Sequence, residues 1–174
     1  MKKLLLLIFA IIFLAGGIVT AAETKRYKEF PITVFIESST HKPVIKQAFS
    51  SWTNMTRVAK FKYTNSPDEA NIIVKFAEQP SVNKGESYVA GTNMNLPSSD
   101  GYIHNSIITI KSNIPGKNVK MYDSQIYIVA LHEIGHALGL GHSSNPADVM
   151  YYVSGSQRML TIGDLNAFKS LYAK

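Results

Sequence analysis

HEIGHALGLGH, residues 132–142, is the stretch on which the reading of this chain turns. On a helix, His132 and His136 lie four apart and project from one face a turn from each other, so two imidazoles can reach one ion about 2.0–2.1 Å from each nitrogen. Glu133 lies one step round and points beside the metal, a place suited to a base acting on zinc-bound water. Gly139 can adopt a positive φ that ends the helix sharply, which lets the chain fold back and bring His142 to a third corner of a tetrahedron. The fourth corner stays open, and that separates a catalytic zinc site from a closed structural one. At 5 histidines in 174 residues, chance yields His-Glu-x-x-His in well under about 1% of such chains, and the fixed Gly139 and His142 lower that roughly another hundredfold. The bland alternative is three histidines satisfied by hydrogen bonds on an ordinary helix. With zero cysteines, any metal must be held by His and carboxylates.

Outward from this motif, periodicity outlines the elements. Ile32, Val34 and Ile36 alternate with Thr33, Phe35 and Glu37, predicting a strand over 30–37. Pro43 opens a segment in which Val44, Ile45, Ala48, Phe49, Trp52 and Met55 recur at helical spacing. Residues 61–63 and 71–76 read as strands separated by the turn residues Asn65, Ser66, Pro67 and Asp68. Residues 79–101 read as a loop in which Tyr88–Ala90 supplies an edge strand. Ile103 and Ile107–Ile110 give a further strand. After a loop through Pro115 and Gly116, Asp123 or Ser124 should cap the helix that carries Ile126, Val129, Ala130, Ile134, Ala137 and Leu138 on its inner side. Thr161-Ile162-Gly163-Asp164 has the form of a capping box with Asp in the place of Glu, opening a helix through Leu165, Phe168 and Leu171 or Tyr172.

The third histidine is followed by Ser143, Pro146 and Met150, and the chain resembles the metzincin clan, its matrixin branch in particular. Ala48, Phe49 and Trp52, the Ala70-Asn71-Ile72 strand entry, and the closing Leu160-Thr161, Asp164-Leu165 and Leu171-Tyr172 are also similar to stretches of matrixin catalytic domains. The resemblance implies an α+β fold, a twisted mixed five-stranded sheet with three helices, the active-site helix lying beneath a cleft. It implies a zinc-dependent endopeptidase with one catalytic Zn2+ on His132, His136 and His142, Glu133 as the base, and Met150 as an apolar floor of the Met-turn. A protein or peptide substrate would add to an exposed edge, with Tyr88–Thr92 the candidate, and Tyr151–Leu160 would form the pocket's outer wall.

The departures from the family are specific. There is no cysteine for the family's latency device, and Gly91–Ile110 keeps only Asp100 and His104 of the residues that would hold a structural zinc or Ca2+, so neither ion is supported. His41 and His104 are lone histidines that read as surface or core residues. Met150 is followed by Tyr151 and Tyr152 rather than proline. The astacin and serralysin branches place a tyrosine two residues after the Met, so Tyr152 is a candidate donor to the zinc side or the developing oxyanion; lining the pocket wall is the alternative.

The amino terminus bears on the compartment. Lys2 and Lys3 precede an apolar run from Leu4 to Leu14 and a small-residue end at Ala21-Ala22, the layout of a secretory signal peptide over 1–22 with a catalytic domain over 23–174. An uncleaved membrane anchor is the alternative, since Leu4–Ala22 is just long enough to span a bilayer. With Lys2 and Lys3 removed, the formal charge falls from +6 to +4. The remaining cations are scattered and no nucleic-acid motif accompanies them, so no nucleic-acid partner is expected. The expected product is a secreted monomer without stable membrane association once the signal is cleaved. Two rival readings remain, a non-proteolytic zinc enzyme such as an amidase and a zinc-binding module without turnover; the carboxylate of Glu133 speaks against the second.

Overall fold

The computed structural model describes residues 25–77, 90–96, 98–114, 119–152 and 159–173. The expected signal peptide 1–22, Tyr88 and Val89 of the expected edge strand, Pro115 and Gly116, and residues 153–158 of the expected pocket wall lie outside them.

The described residues form β1 (Ile32–Ile36), α1 (Lys42–Thr56), β2 (Phe61–Tyr63), a 3-10 turn (Pro67–Glu69), β3 (Ile72–Ala77), β4 (Gly91–Asn95), β5 (Ser106–Lys111), α2 (Asp123–Ala137) and α3 (Ile162–Tyr172). The five strands make one sheet in the order β2-β1-β3-β5-β4. Pairing is parallel except between β5 and β4, where Asn93 lies opposite Ile108 in an antiparallel ladder. This is the mixed five-stranded sheet with three helices expected of an α+β fold.

Alternation places Ile32, Val34 and Ile36 of β1 in the core. They are joined there by Ile72 and Val74 of β3 and by Ile108 and Ile110 of β5. The strand starts two residues later than the expected range 30–37, because Pro31 has no N–H to give to a ladder. Helix α1 covers this face with Val44, Ile45, Ala48, Phe49 and Trp52 and ends at Arg57, whose φ of 61° is left-handed and whose N–H returns to Thr53. The indole N–H of the fully buried Trp52 donates to Leu131 O at 3.0 Å, which fixes α1 against α2. At the other end of the same helix pair, His41 Nδ1 lies 2.7 Å from Asp123 Oδ1, so this histidine clamps two helix starts.

Two expectations are corrected. The residue capping α2 is Tyr122, not Asp123 or Ser124: its N–H donates to the Gln125 side chain at 2.9 Å, while the Asp123 carboxylate is turned to His41. The described edge strand is Gly91–Asn95, within the stretch read as loop; Tyr88 and Val89 of the strand expected over Tyr88–Ala90 lie outside the described residues. Its sequence, GTNMN, has no apolar alternation; it is a strand because β5 supplies the partner groups and Ser106 Oγ, buried in β5, donates to Asn93 Oδ1 at 2.5 Å. Ile103 is buried but precedes β5. Helix α3 opens with the capping box read from the sequence, Thr161 Oγ1 accepting from Asp164 N at 3.2 Å and Asp164 accepting from Thr161 N at 2.8 Å. Its Phe168 is buried and stacks on Tyr172, whose hydroxyl donates to Leu138 O at 2.9 Å at the end of α2. Among the described residues, no helix is long and apolar enough to cross a membrane.

Candidate metal centre

Helix α2 is packed on most of its circumference, so the two histidines and the glutamate within it are drawn into the protein with their backbone; His132 and Glu133 are each only 6% exposed. His136 Nε2 stands 3.0 Å from His132 Nε2 and 3.1 Å from His142 Nε2. His142 arrives there because Gly139 takes a φ of 96° and ends the helix, as its position in the motif predicted. A side chain at Gly139 would also drive its Cβ to 2.1 Å from Lys25 O.

The opposite ring nitrogens show why these lone pairs converge. His132 Nδ1 lies 2.7 Å from Val149 O and His136 Nδ1 lies 2.8 Å from Leu140 O. A carbonyl only accepts, so both Nδ1 atoms carry the proton and both Nε2 atoms present a bare lone pair. Two such lone pairs facing each other at 3.0 Å repel unless a cation lies between them. Ligands held about 2.0–2.1 Å from a tetrahedral ion stand roughly 3.3 Å apart, so the donor set fits a zinc-sized ion. Burial holds the His132 imidazole below its ordinary range and lowers that of His136 to about 4, which keeps both in the neutral, ligating form. No other group of three metal-ligating side chains converges among the described residues.

The same burial pushes the Glu133 carboxyl up to about 7. It packs against Gly91 of β4, where a Cβ would lie 2.9 Å from Glu133 Oε1. The far end of β4 is tied to the same helix, Asn95 Nδ2 donating to His136 O at 2.9 Å. On the β5 side of this strand, Ala90 O accepts from Lys111 N and Leu96 N donates to Asn105 O, both at 2.9 Å. Ladder groups alternate along an antiparallel strand, so the N–H and C=O groups of Gly91, Asn93 and Asn95 point away from β5, along the open edge.

Beneath the histidines, Met150 is 1% exposed and packs on Gly135, where a Cβ would fall 2.2 Å from the sulfur. The turn carrying it is held by residues the sequence reading used only as helix caps or passed over. The buried Asp164 carboxylate accepts from Val149 N and Met150 N, both at 3.1 Å, as well as from Thr161 N. Asp148, also buried, accepts from Ser143 Oγ at 2.6 Å, Asn145 Nδ2 at 3.1 Å and Thr161 Oγ1 at 2.5 Å. Its carboxylate lies where any side chain on Gly163 would have to go. The sequence signal for Asp164 was its place in the capping box; for Asp148 there was none.

The remaining candidates lie elsewhere or face solvent. Asp100 and His104 pair with each other at 2.8 Å on an exposed loop, and the Tyr102 N–H together with His104 lowers the Asp100 carboxyl to about 2. Tyr152 is 63% exposed, its ring 4.4 Å from that of Tyr151. The hydrogen bond that the Tyr151 hydroxyl gives to this neighbour raises it.

Three imidazoles, two from helix α2 packed against the sheet edge and one from the chain beyond its end, define a candidate metal centre in an α+β domain. Residues 22–173 match the matrixin family of peptidases, and the chain belongs to that family. Matrixins are zinc metalloendopeptidases, and they bind a catalytic zinc ion. The chain is 35% identical to Metalloendoproteinase 1 of Glycine max over 119 residues, 64% of this chain and 38% of that protein. It is 28% identical to the macrophage metalloelastase of Oryctolagus cuniculus over 137 residues, 74% of this chain and 28% of the relative. Over 50 residues it is 46% identical to the matrilysin of Felis catus, 26% of this chain and 19% of that one. The chain thus spans well under half the length of these relatives.

Asp164→Ala should strip the turn under the histidines of its acceptor. Each buried N–H left unpaired costs about 1–3 kcal/mol, so the variant is expected to lose on the order of 3 kcal/mol in urea unfolding. Because Val149 O orients His132, zinc affinity should fall about 10–100-fold in chelator competition; unchanged affinity would remove Asp164 from the support of the site.

Proposed function

We propose that this protein is a secreted zinc-dependent endopeptidase acting on extended polypeptides, with His132, His136 and His142 as the zinc ligands and Glu133 as the catalytic base. The observation that carries the reading is the convergence of three Nε2 atoms, two of them presenting lone pairs fixed by Nδ1–H bonds to backbone carbonyls, beside a buried carboxyl left without a hydrogen bond to a described residue. When bound, a zinc ion supplies Lewis acidity, polarising a carbonyl and making water in the cleft more acidic.

The chain's own residues do the rest. Glu133 Oε1 and Oε2 accept a proton from the attacking water and return it to the leaving amine, a task suited to a carboxyl whose affinity for protons burial has raised. The outward groups of Gly91, Asn93 and Asn95 hydrogen-bond an extended substrate as an added strand, which holds the scissile bond over α2. That moves the proposed docking strand from Tyr88–Thr92 to Gly91–Asn95. Met150 fills the space under the histidines and takes no part in proton transfer. Tyr152 is proposed as a donor to the developing oxyanion; its position two residues beyond Met150 and its exposed ring support this role.

The test uses the protein beginning at Glu23 on casein and a quenched-peptide library. Cleavage should be abolished by a chelator and restored by zinc, and Glu133→Gln should lose about 10²–10⁴-fold in turnover while binding zinc as the parent does. Zinc-loaded protein that cleaves nothing would favour a binding module. Tyr152→Phe should lower kcat about 10²-fold with zinc content unchanged; full activity would leave Tyr152 as pocket wall. Secretion rests on the charged, apolar and small-residue layout of residues 1–22. Expressed with its own amino terminus in a secreting host, the protein should appear in the medium starting at Ala22 or Glu23; recovery of uncleaved chain in the membrane fraction would mean an anchor instead.

A further inference from the structure

We infer that Gly91 is a positioning residue for Glu133: the missing side chain on the edge strand makes the space in which the catalytic carboxylate sits. The inference rests on the role proposed above for Glu133. Gly91 is the first residue of β4 and is buried against α2. A Cβ built there would lie 2.6 Å from Val129 Cγ1, 2.9 Å from Glu133 Cγ and 2.9 Å from Glu133 Oε1. Separations below 3.0 Å cannot stand, so an added methyl must displace the strand, the helix or the side chains of Val129 and Glu133.

The strand has little room to retreat. Gly91 lies opposite Ile110 in the ladder with β5, and four residues on, Asn95 Nδ2 holds His136 O at 2.9 Å. Asn95 is itself part of a chain of polar contacts, Ser106 Oγ to Asn93 Oδ1 at 2.5 Å and Asn93 Nδ2 to Asn95 Oδ1 at 3.2 Å, which anchors it to buried β5. The helix is no freer, because α2 is fixed by Trp52 through Leu131 O and by Met150 packed on Gly135. The β-branched Val129 side chain is buried in the core, which leaves the Glu133 side chain as the part freest to move. No hydrogen bond to a described residue restrains its carboxylate, and its rotamers cost far less than shifting an element of the core. Nor does the backbone demand glycine here, since the positive-φ glycines among the described residues are Gly101 and Gly139. Space, not conformation, is what the residue supplies, and the group that fills the space is the one proposed to move the proton.

The prediction separates steering of Glu133 from plain packing. Gly91→Ala should lower kcat at least about tenfold with KM within about twofold, while zinc content stays at the parent value. Val129→Ala removes the tightest of the three contacts and leaves the two to Glu133. Gly91→Ala/Val129→Ala should therefore regain thermal stability without regaining kcat, and its crystal structure should show the Glu133 carboxylate turned from its parent position. If Gly91→Ala alone does not fold, the double variant is compared with Val129→Ala and decides the matter. Activity retained in Gly91→Ala, or restored in the double variant, would overturn the inference and make Gly91 a packing residue. Parent protein run beside the variants keeps the two readings apart: an inactive zinc-loaded parent sinks the proposed peptidase and this inference with it, whereas an active parent beside a fully active variant sinks this inference alone.

Discussion

The N–H bond from His132 Nδ1 to Val149 O, 2.7 Å long, is the contact on which the architecture converges. It chooses the tautomer of one imidazole and orients its ring, and it joins the metal-binding helix to the turn that carries Met150. The turn in turn hangs from Asp164, whose carboxylate takes the N–H groups of Val149 and Met150 while capping α3. One buried carboxylate therefore sets the start of the last helix and the height of the floor under the histidines. The central sheet and α1 press from the other side, through Trp52 on Leu131 O and on the face of Gly135.

The buried carboxyls divide by what surrounds them. Asp164 collects N–H groups from three residues, and Asp148 collects a hydroxyl, an amide and a second hydroxyl. Both are saturated with donors, the condition under which an ionised carboxylate can remain inside a protein. Glu133 has no such partners among the described residues, and burial pushes it up to about 7. His132 and His136 show the same imbalance, with their Nδ1 atoms satisfied and their Nε2 lone pairs turned on one another. A fold that saturates Asp148 and Asp164 with donors but leaves Glu133 and the facing Nε2 atoms of His132 and His136 without one has concentrated electrostatic strain where an ion and a proton can relieve it.

Edge strand β4 lies against helix α2 for reasons of space and pairing rather than propensity. Its glycine admits the Glu133 carboxylate, its Asn95 ties to His136 O, and its alternate backbone groups stay open to a substrate. Strand β4 and helix α2 are thus tied to each other at both ends of the strand.

The sequence by itself determined whatever depends on local spacing. His132 and His136 had to share a helical face, and Gly139 had to end the helix. Ile32, Val34 and Ile36 had to face one side of a strand, and Thr161 with Asp164 had to cap a helix, because covalent geometry and period fix those relations within a few residues. The tertiary structure alone decided what depends on groups far apart in the chain. A strand of sequence GTNMN exists because β5 completes its hydrogen bonds. Asp123 is a partner of His41 rather than a cap because α1 packs beside α2. Asp164 supports the floor of the site because Val149 and Met150 are folded over it. No periodicity carries such information: a buried donor, a gap one methyl wide or a lone pair facing another arises only when distant segments meet, and the cost of leaving those groups unpaired then selects which of them do.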